Sequence, residues 1–204
     1  LERYGMSETG MLTSNPYEGE RKAGTVGPAL PGGSVRVVTT QGTDCAVDVI
    51  GDIQVKGPNV FQGYWQMPEK TAEEFTNDGY FKTGDVGRMD NDGYISIVGR
   101  SKDLIISGGY NVYPKEIESV IDELPGVLES AVIGIAHPDF GEAVTAVIVP
   151  RDGCQLSEVD IIATLKEKIA NFKVPKRVYV VEELPRNTMG KVQKNLLREK
   201  FSAS

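Results

Sequence analysis

The chain has 204 residues, 40% of them hydrophobic and 25% charged, and its 22 Lys and Arg against 29 Asp and Glu give a formal charge of -7. These are the proportions of an ordinary globular chain, long enough for one large or two modest domains, and they exclude a disordered or fibrous protein. The acidic balance argues against a nucleic-acid binder held through phosphates, and no apolar run approaches the ~20 residues of a membrane span.

In chain order, the first hundred residues read as short strands between turns: VRVV at 35–38, IGDIQVKG at 50–57, YFKTGD at 80–85 and YISIVG at 94–99. This is an antiparallel pattern. Asp90-Asn91-Asp92-Gly93 lies between the last two and supplies residues that tolerate the left-handed backbone of a tight hairpin. A short helix runs from Pro68 to Phe75, Pro68 standing where a helix has no use for its N–H.

After Arg100 the period changes. Ile117, Val120, Ile121 and Leu124 recur at helical spacing behind Pro114, and Pro125-Gly126 ends that helix. Strands at about Glu129–Ile135 and Ala143–Val149 precede a second helix, opened by Ser157 with Asp160 as a variant capping box and presenting Ile162, Leu165 and Ile169 as its buried face. A strand near Arg177–Val181 and a helix from about Val192 to Phe201 follow. The predicted class is α+β: an antiparallel, β-rich, distorted barrel-like subdomain over 1–100, then a small α+β domain over 101–204, with the boundary near Ser101–Asp103.

Charge is unevenly placed. Residues 1–164 hold 12 basic and 25 acidic side chains (-13), whereas residues 165–204 hold 10 and 4 (+6). The basic end is either a solvated helix or a surface that approaches an anionic small molecule. Cys45 and Cys154 make no metal or redox spacing, which fits a reduced, cytoplasmic setting. The chain opens at Leu1 with no signal-peptide pattern, and the expectation is that it is a piece of something longer.

Four clusters are too polar and glycine-rich for their surroundings. Tyr4-Gly-Met-Ser-Glu-Thr-Gly10 joins an aromatic, a hydroxyl and a carboxylate, a set able to stack a base, hold a phosphate oxygen and bind magnesium, although a capped loop would look similar. Thr83-Gly84-Asp85 and Gly99-Arg100-Ser101-Lys102-Asp103 end neighbouring hairpin strands, so Asp85 and Arg100 form either a surface ion pair or a joint grip on one nucleotide. Pro185-Arg-Asn-Thr-Met-Gly-Lys191 is not a Walker A loop, since Pro185 replaces the first glycine and Val192 the Ser or Thr after the lysine. Its Lys191 is either a solvated lysine or one positive charge held for a developing oxyanion on phosphorus. His137, the single histidine, reads as a turn residue, and no Ser/His/Asp set forms around it.

In this order the clusters resemble the acyl-adenylate-forming superfamily of acyl-CoA synthetases, peptide-synthetase adenylation domains and luciferases. YGMSETG, YFKTGD, GRSKDLIISGGYNVYPKEIE and PRNTMGK are similar to its successive motifs, and RYGMSETGMLTSNPY, KGPNVFQGYW and LPRNTMGKVQK resemble in particular its malonyl-CoA synthetase branch. The resemblance implies an acid–thiol ligase that uses ATP, magnesium and coenzyme A, forms an acyl-adenylate and then a thioester, and here acts on malonate or methylmalonate. It further implies Tyr4 on adenine, Ser7 on the α-phosphate, Glu8 on magnesium, Asp85 on the ribose hydroxyls and Arg100 on the nucleotide. On the same resemblance Lys102 would fall at the hinge of a mobile C-terminal domain and Lys191 would assist adenylation. Ser107, Gly108 and Gly109 would line the pantetheine channel, where a side chain would obstruct the thiol, and Lys166 would reach CoA phosphates. Arg3, Met6 and Met11 lie beside the acyl pocket motif, Arg3 as the cation for a second carboxylate. The family's Ser/Thr/Gly-rich phosphate loop is absent from these residues, so the expectation is a C-terminal portion that is inactive without an N-terminal part. The alternatives are an enzyme that loads a carrier protein, or a non-catalytic binding module of the same fold.

Overall fold

The computed structural model describes residues 1–202; positions 203 and 204, which fall in the second predicted domain, lie outside the described residues. The chain divides into two compact units, Leu1–Ser101 and Lys102–Ser204.

The first unit begins with an antiparallel ribbon, β1 (Arg3–Met6) and β2 (Gly10–Ser14). Strands β3 (Ser34–Val38), β4 (Gly51–Lys56), β5 (Phe81–Met89) and β6 (Ile95–Arg100) then form an open antiparallel sheet in that order, with α1 (Pro68–Glu74) inserted before β5. The class is therefore α+β with antiparallel sheets as expected, and no closed barrel forms among the described residues. Leu12, Val37, Ile53, Val55, Phe81 and Ile95 make the buried core. Phe61 packs on Phe75 and Phe81 at 5.9 and 5.3 Å between ring centroids, distances at which aromatic pairs gain beyond their area.

Strand alternation carries a polar residue into this interior. Phe81, Thr83 and Asp85 share one face of β5 and are buried, whereas Lys82 and Gly84 between them are exposed. A bulge follows: Val86 faces Gly99 but Gly87 faces Ile97, so β6 has one residue more than β5 over this stretch. A Cβ on Gly87 would stand 2.5 Å from the Ser96 carbonyl oxygen, so the close approach admits glycine alone. The bulge fixes which residues face each other at the strand ends, and it sets Asp85 opposite Arg100.

In the second unit, β9 (Val127–His137) and β10 (Gly141–Pro150) form a long antiparallel hairpin. Strand β11 (Arg177–Val180) pairs parallel to β10, and the short hairpin of β7 (Ile105–Ser107) and β8 (Tyr110–Val112) joins it at Gly141. Helices α2 (Pro114–Asp122) and α3 (Glu158–Lys168) cover one face with Ile117, Ile121, Ile161 and Leu165 against Val132, Val144, Ala146 and Ile148. Helix α4 (Lys194–Phe201) contributes Leu197 and Phe201 to the opposite cluster, with Ile133, Val147 and Val149. A strand buried on both faces needs no polar alternation, which is why residues 143–149 read as a nearly unbroken apolar run.

Ser157 caps α3 as expected, its hydroxyl accepting from the Asp160 N–H. The buried stripe is rotated by one residue from the expectation: Ile161, 5% exposed, and Leu165 point inward at i, i+4, while Ile162 and Ile169 pack on the flank of the same cluster. No helix of the described residues is long and apolar enough to cross a membrane.

Candidate nucleotide and adenylation site

Asp85 is the centre of the first unit's polar cluster. Its carboxylate is 7% exposed and accepts from Arg100 Nε at 2.8 Å on Oδ1 and from the Tyr4 hydroxyl on Oδ2. The backbone N–H of Asp85 donates to Thr83 Oγ1 at 3.1 Å, and the Thr83 hydroxyl donates in turn to the Ile53 carbonyl at 2.8 Å. A buried carboxylate needs such partners, and each of its oxygens still has acceptor capacity for a further donor. The Arg100 side chain is 44% exposed, so the ion pair reaches solvent through the guanidinium.

Tyr4 is brought to Asp85 across 81 positions of sequence by the β1–β2 ribbon. Burial first, and then the hydrogen bond to the Asp85 carboxylate, push the phenol above its ordinary value. Because the folded value lies above the unfolded one near ~10, the unfolded chain loses this proton first as pH rises. The stability Tyr4 contributes is thus complete below about pH 10 and falls above it. Denaturation midpoints of the natural chain and Tyr4→Phe, compared from pH 9 to 11, should converge as the pH rises; parallel curves would contradict this coupling.

The turn between β1 and β2 holds Ser7, exposed, and Glu8, half-buried. Residues 59–64 buttress it. The Phe61 N–H donates to the Glu8 carbonyl at 2.7 Å, the Tyr64 hydroxyl to Glu8 Oε1 at 3.3 Å, and Asn59 Nδ2 to the Thr9 and Met11 carbonyls at 2.7 and 3.1 Å. Asn59 and Tyr64 fall in the KGPNVFQGYW stretch, but a polar residue in an aperiodic loop carries no spacing signal that would assign it this contact. No group of three or more His, Cys, Asp or Glu able to hold a metal occurs among the described residues. Glu8 as a lone carboxylate fits magnesium, which keeps several waters and binds through one or two carboxylates plus substrate phosphates. On β1, Tyr4 and Met6 face inward while Arg3 lies on the exposed side; Met11 on β2 is 44% exposed.

In the second unit, Lys102 is exposed in the 3-10 turn at Ser101–Asp103, whose Asp103 pairs with Arg198 at 2.8 Å. Ser107 ends β7, and Gly108 and Gly109 form the turn to β8 with φ of 58° and 81°. Two positive φ angles in a two-residue hairpin are a backbone reason for glycine. A Cβ on Gly109 would meet nothing within 4 Å, so no crowding in this chain demands glycine there. Lys166 is exposed in the last turn of α3.

Lys191 sits on a tight hairpin. Arg186 bridges Val192, the Gly190 N–H donates to the Asn187 carbonyl, and Asn187 Oδ1 accepts from the N–H groups of Met189 and Lys191 at 3.0 and 2.9 Å. Gly190 has φ 76°, the left-handed residue such a turn requires. The Lys191 side chain is exposed, and no carboxylate lies within ion-pair distance of its amine among the described residues. The geometry is a fixed backbone carrying a free cation.

Residues 1–65 match the family model described as AMP-binding enzyme, and residues 116–191 match that described as AMP-binding enzyme C-terminal domain. The chain is 44% identical over 210 residues to malonate–CoA ligase of Arabidopsis thaliana, covering 98% of this chain and 34% of that protein. It is also 44% identical to the probable CoA ligase CCL8 of Humulus lupulus, covering 99% and 35%. The crystal structure of ATP-bound MatB from Rhodopseudomonas palustris superposes with a TM-score of 0.94 at 59% identity, over 98% of this chain and 40% of that one. The chain thus spans about a third of the length of these two curated relatives.

Proposed function

The chain belongs to the AMP-binding enzyme family, and from that premise we propose that it is the C-terminal part of an ATP-dependent carboxylate–CoA ligase, with malonate or methylmalonate as the acid. Residues 1–100 are the end of the large adenylation domain and residues 101–204 its mobile C-terminal domain, with Lys102 at the hinge. The observation that carries this reading is the buried Asp85 carboxylate oriented by Arg100 and Tyr4.

Asp85 accepts the ribose hydroxyls, Arg100 donates to the nucleotide, Tyr4 places its ring against adenine, and Ser7 donates to the α-phosphate. Glu8 is the residue that would hold magnesium, whose bound form neutralises phosphate charge. A carboxylate oxygen of the acid attacks the α-phosphorus, the bond to pyrophosphate breaks, and Lys191 meets the negative charge that develops on the phosphoryl oxygens. The CoA thiol, having lost its proton, then attacks the acyl carbonyl and AMP departs, leaving the thioester with no covalent enzyme intermediate. Ser107, Gly108 and Gly109 line the pantetheine path, and Lys166 meets CoA phosphates. Met6 and Met11 border the acid, and Arg3, the one basic side chain among residues 1–14, is the cation for its second carboxylate. The chain alone is inactive, because the remainder of the large domain must supply the rest of the acyl and phosphate pockets.

The relatives' names, which are CoA ligases, favour CoA over a carrier protein as the thiol. Retention of Asp85, Arg100 and Lys191 disfavours a non-catalytic module. Incubating the full-length parent with ATP, magnesium, CoA and a panel of acids should yield AMP and malonyl-CoA in equal amounts, with monocarboxylic acids poorly used. A thioester on an acyl-carrier protein but none on CoA would replace this reading with carrier loading. Preference for a monocarboxylic acid would overturn the malonate assignment.

A further inference from the structure

The hairpin that carries Lys191 is anchored at one side chain that the roles above leave without a task. Arg186 stands at its base and uses its guanidinium in two directions. Nη1 donates to the Gly190 carbonyl at 2.7 Å, and Nη2 donates to the Glu129 carboxylate. Gly190 is the residue immediately before Lys191, and Glu129 lies on β9, opposite Val149 in the central hairpin of the unit. One planar fork therefore ties the tip of an exposed loop to a strand whose neighbours Ala131, Ile133, Val147 and Val149 are buried core. Backbone bonds, the Gln193 N–H on the Pro185 carbonyl at 2.8 Å among them, and the Asn187 side chain set the shape of the hairpin; Leu184 and Val192 seat its base on the core, and this fork ties its tip to β9.

We infer that Arg186, braced by Glu129, is a positioning residue that holds Lys191 in place for the adenylation step. The inference rests on the proposed role of Lys191. Its physical basis is that electrostatic stabilisation needs no reorganisation at the moment of reaction only if the charge is already placed. The Lys191 side chain is long and exposed, so its backbone is the part that the protein can fix. Arg suits the position because its rigid fork makes two bonds with divergent acceptors, whereas a lysine ammonium is a point charge on a flexible stem. Stability is a minor part of the role. Arg186 and Glu129 side chains are 42% and 30% exposed, and pairs of that kind contribute little to folding.

The test uses the full-length parent and measures its two half-reactions separately: acid-dependent ATP–pyrophosphate exchange, and thioester formation from preformed acyl-adenylate and CoA. For Arg186→Gln, exchange should fall roughly tenfold or more, chiefly in kcat, as expected when placement rather than binding is lost. Thioester formation should stay within about twofold, and the denaturation midpoint should hardly move. Glu129→Gln removes the brace and leaves the Gly190 bond, so it should show the same selective loss in smaller degree, as should Arg186→Lys. These two variants also decide the matter if Arg186→Gln does not fold. Unchanged exchange in all three, or equal loss in both half-reactions, would overturn the inference. Absence of exchange in the natural enzyme would instead remove the reading of Lys191 on which it rests.

Discussion

Lys191→Ala in the full-length parent should lower acid-dependent adenylation by at least ~10²-fold while leaving thioester formation from preformed acyl-adenylate largely intact. The magnitude is that of removing one preorganised donor from a developing oxyanion. The selectivity follows from the point of attack, which is the α-phosphorus in the first half-reaction and the acyl carbonyl in the second. Truncation leaves no buried charge behind, because the amine is exposed and without a carboxylate partner among the described residues. The hairpin is closed by the Asn187 side-chain oxygen and by backbone bonds at Asn187 and Gly190, none of which involves the Lys191 side chain, so the fold should tolerate the change. Stopped-flow or quench measurement of each half-reaction checks this. Comparable loss in both would mean that Lys191 serves structure rather than the phosphoryl step.

The second large effect is expected at Asp85. Asp85→Ala removes the acceptor for both Tyr4 and Arg100, and it leaves the half-buried Tyr4 hydroxyl without its carboxylate partner. Destabilisation should stay below the ~3–5 kcal/mol of breaking a fully buried ion pair, because Arg100 can turn to water. The functional loss should be larger. Two hydrogen bonds from a ribose diol to a charged group, at about 1.5 kcal/mol or more each, correspond to ~10²-fold in kcat/KM for ATP. Asp85→Asn keeps the shape and one acceptor, so it should recover much of the stability and little of the nucleotide affinity. Recovery of both would show that the charge of Asp85 does not matter to nucleotide binding.

What the sequence disclosed depended on whether a feature was local. Helices α2 and α3 were legible because Ile117 and Ile121 repeat at helical spacing and Ser157 caps at a fixed offset. The hairpin at Asp90–Gly93 was legible from its turn chemistry, and with it the approach of Asp85 to Arg100. The β1–β2 ribbon and the β7–β8 hairpin were not, since strands of three to five residues around glycine turns carry too little alternation to be seen. The bulge between Val86 and Gly87 that sets the final register leaves no sequence trace beyond one glycine. Long-range side-chain bonds were wholly hidden: Tyr4 to Asp85, Tyr64 to Glu8, and Arg186 to Glu129 each join segments with no common periodicity. Ile161 displaced Ile162 from the buried stripe of α3 because the helix settles against the sheet by best packing, and both residues satisfy the same apolar pattern.

Acid-dependent exchange of labelled pyrophosphate into ATP, measured on the full-length parent without CoA, tests the central claim most directly. The account predicts exchange with malonate that requires magnesium and is abolished in Lys191→Ala. Absence of exchange with every carboxylic acid tried, in a folded protein that binds ATP, would contradict it.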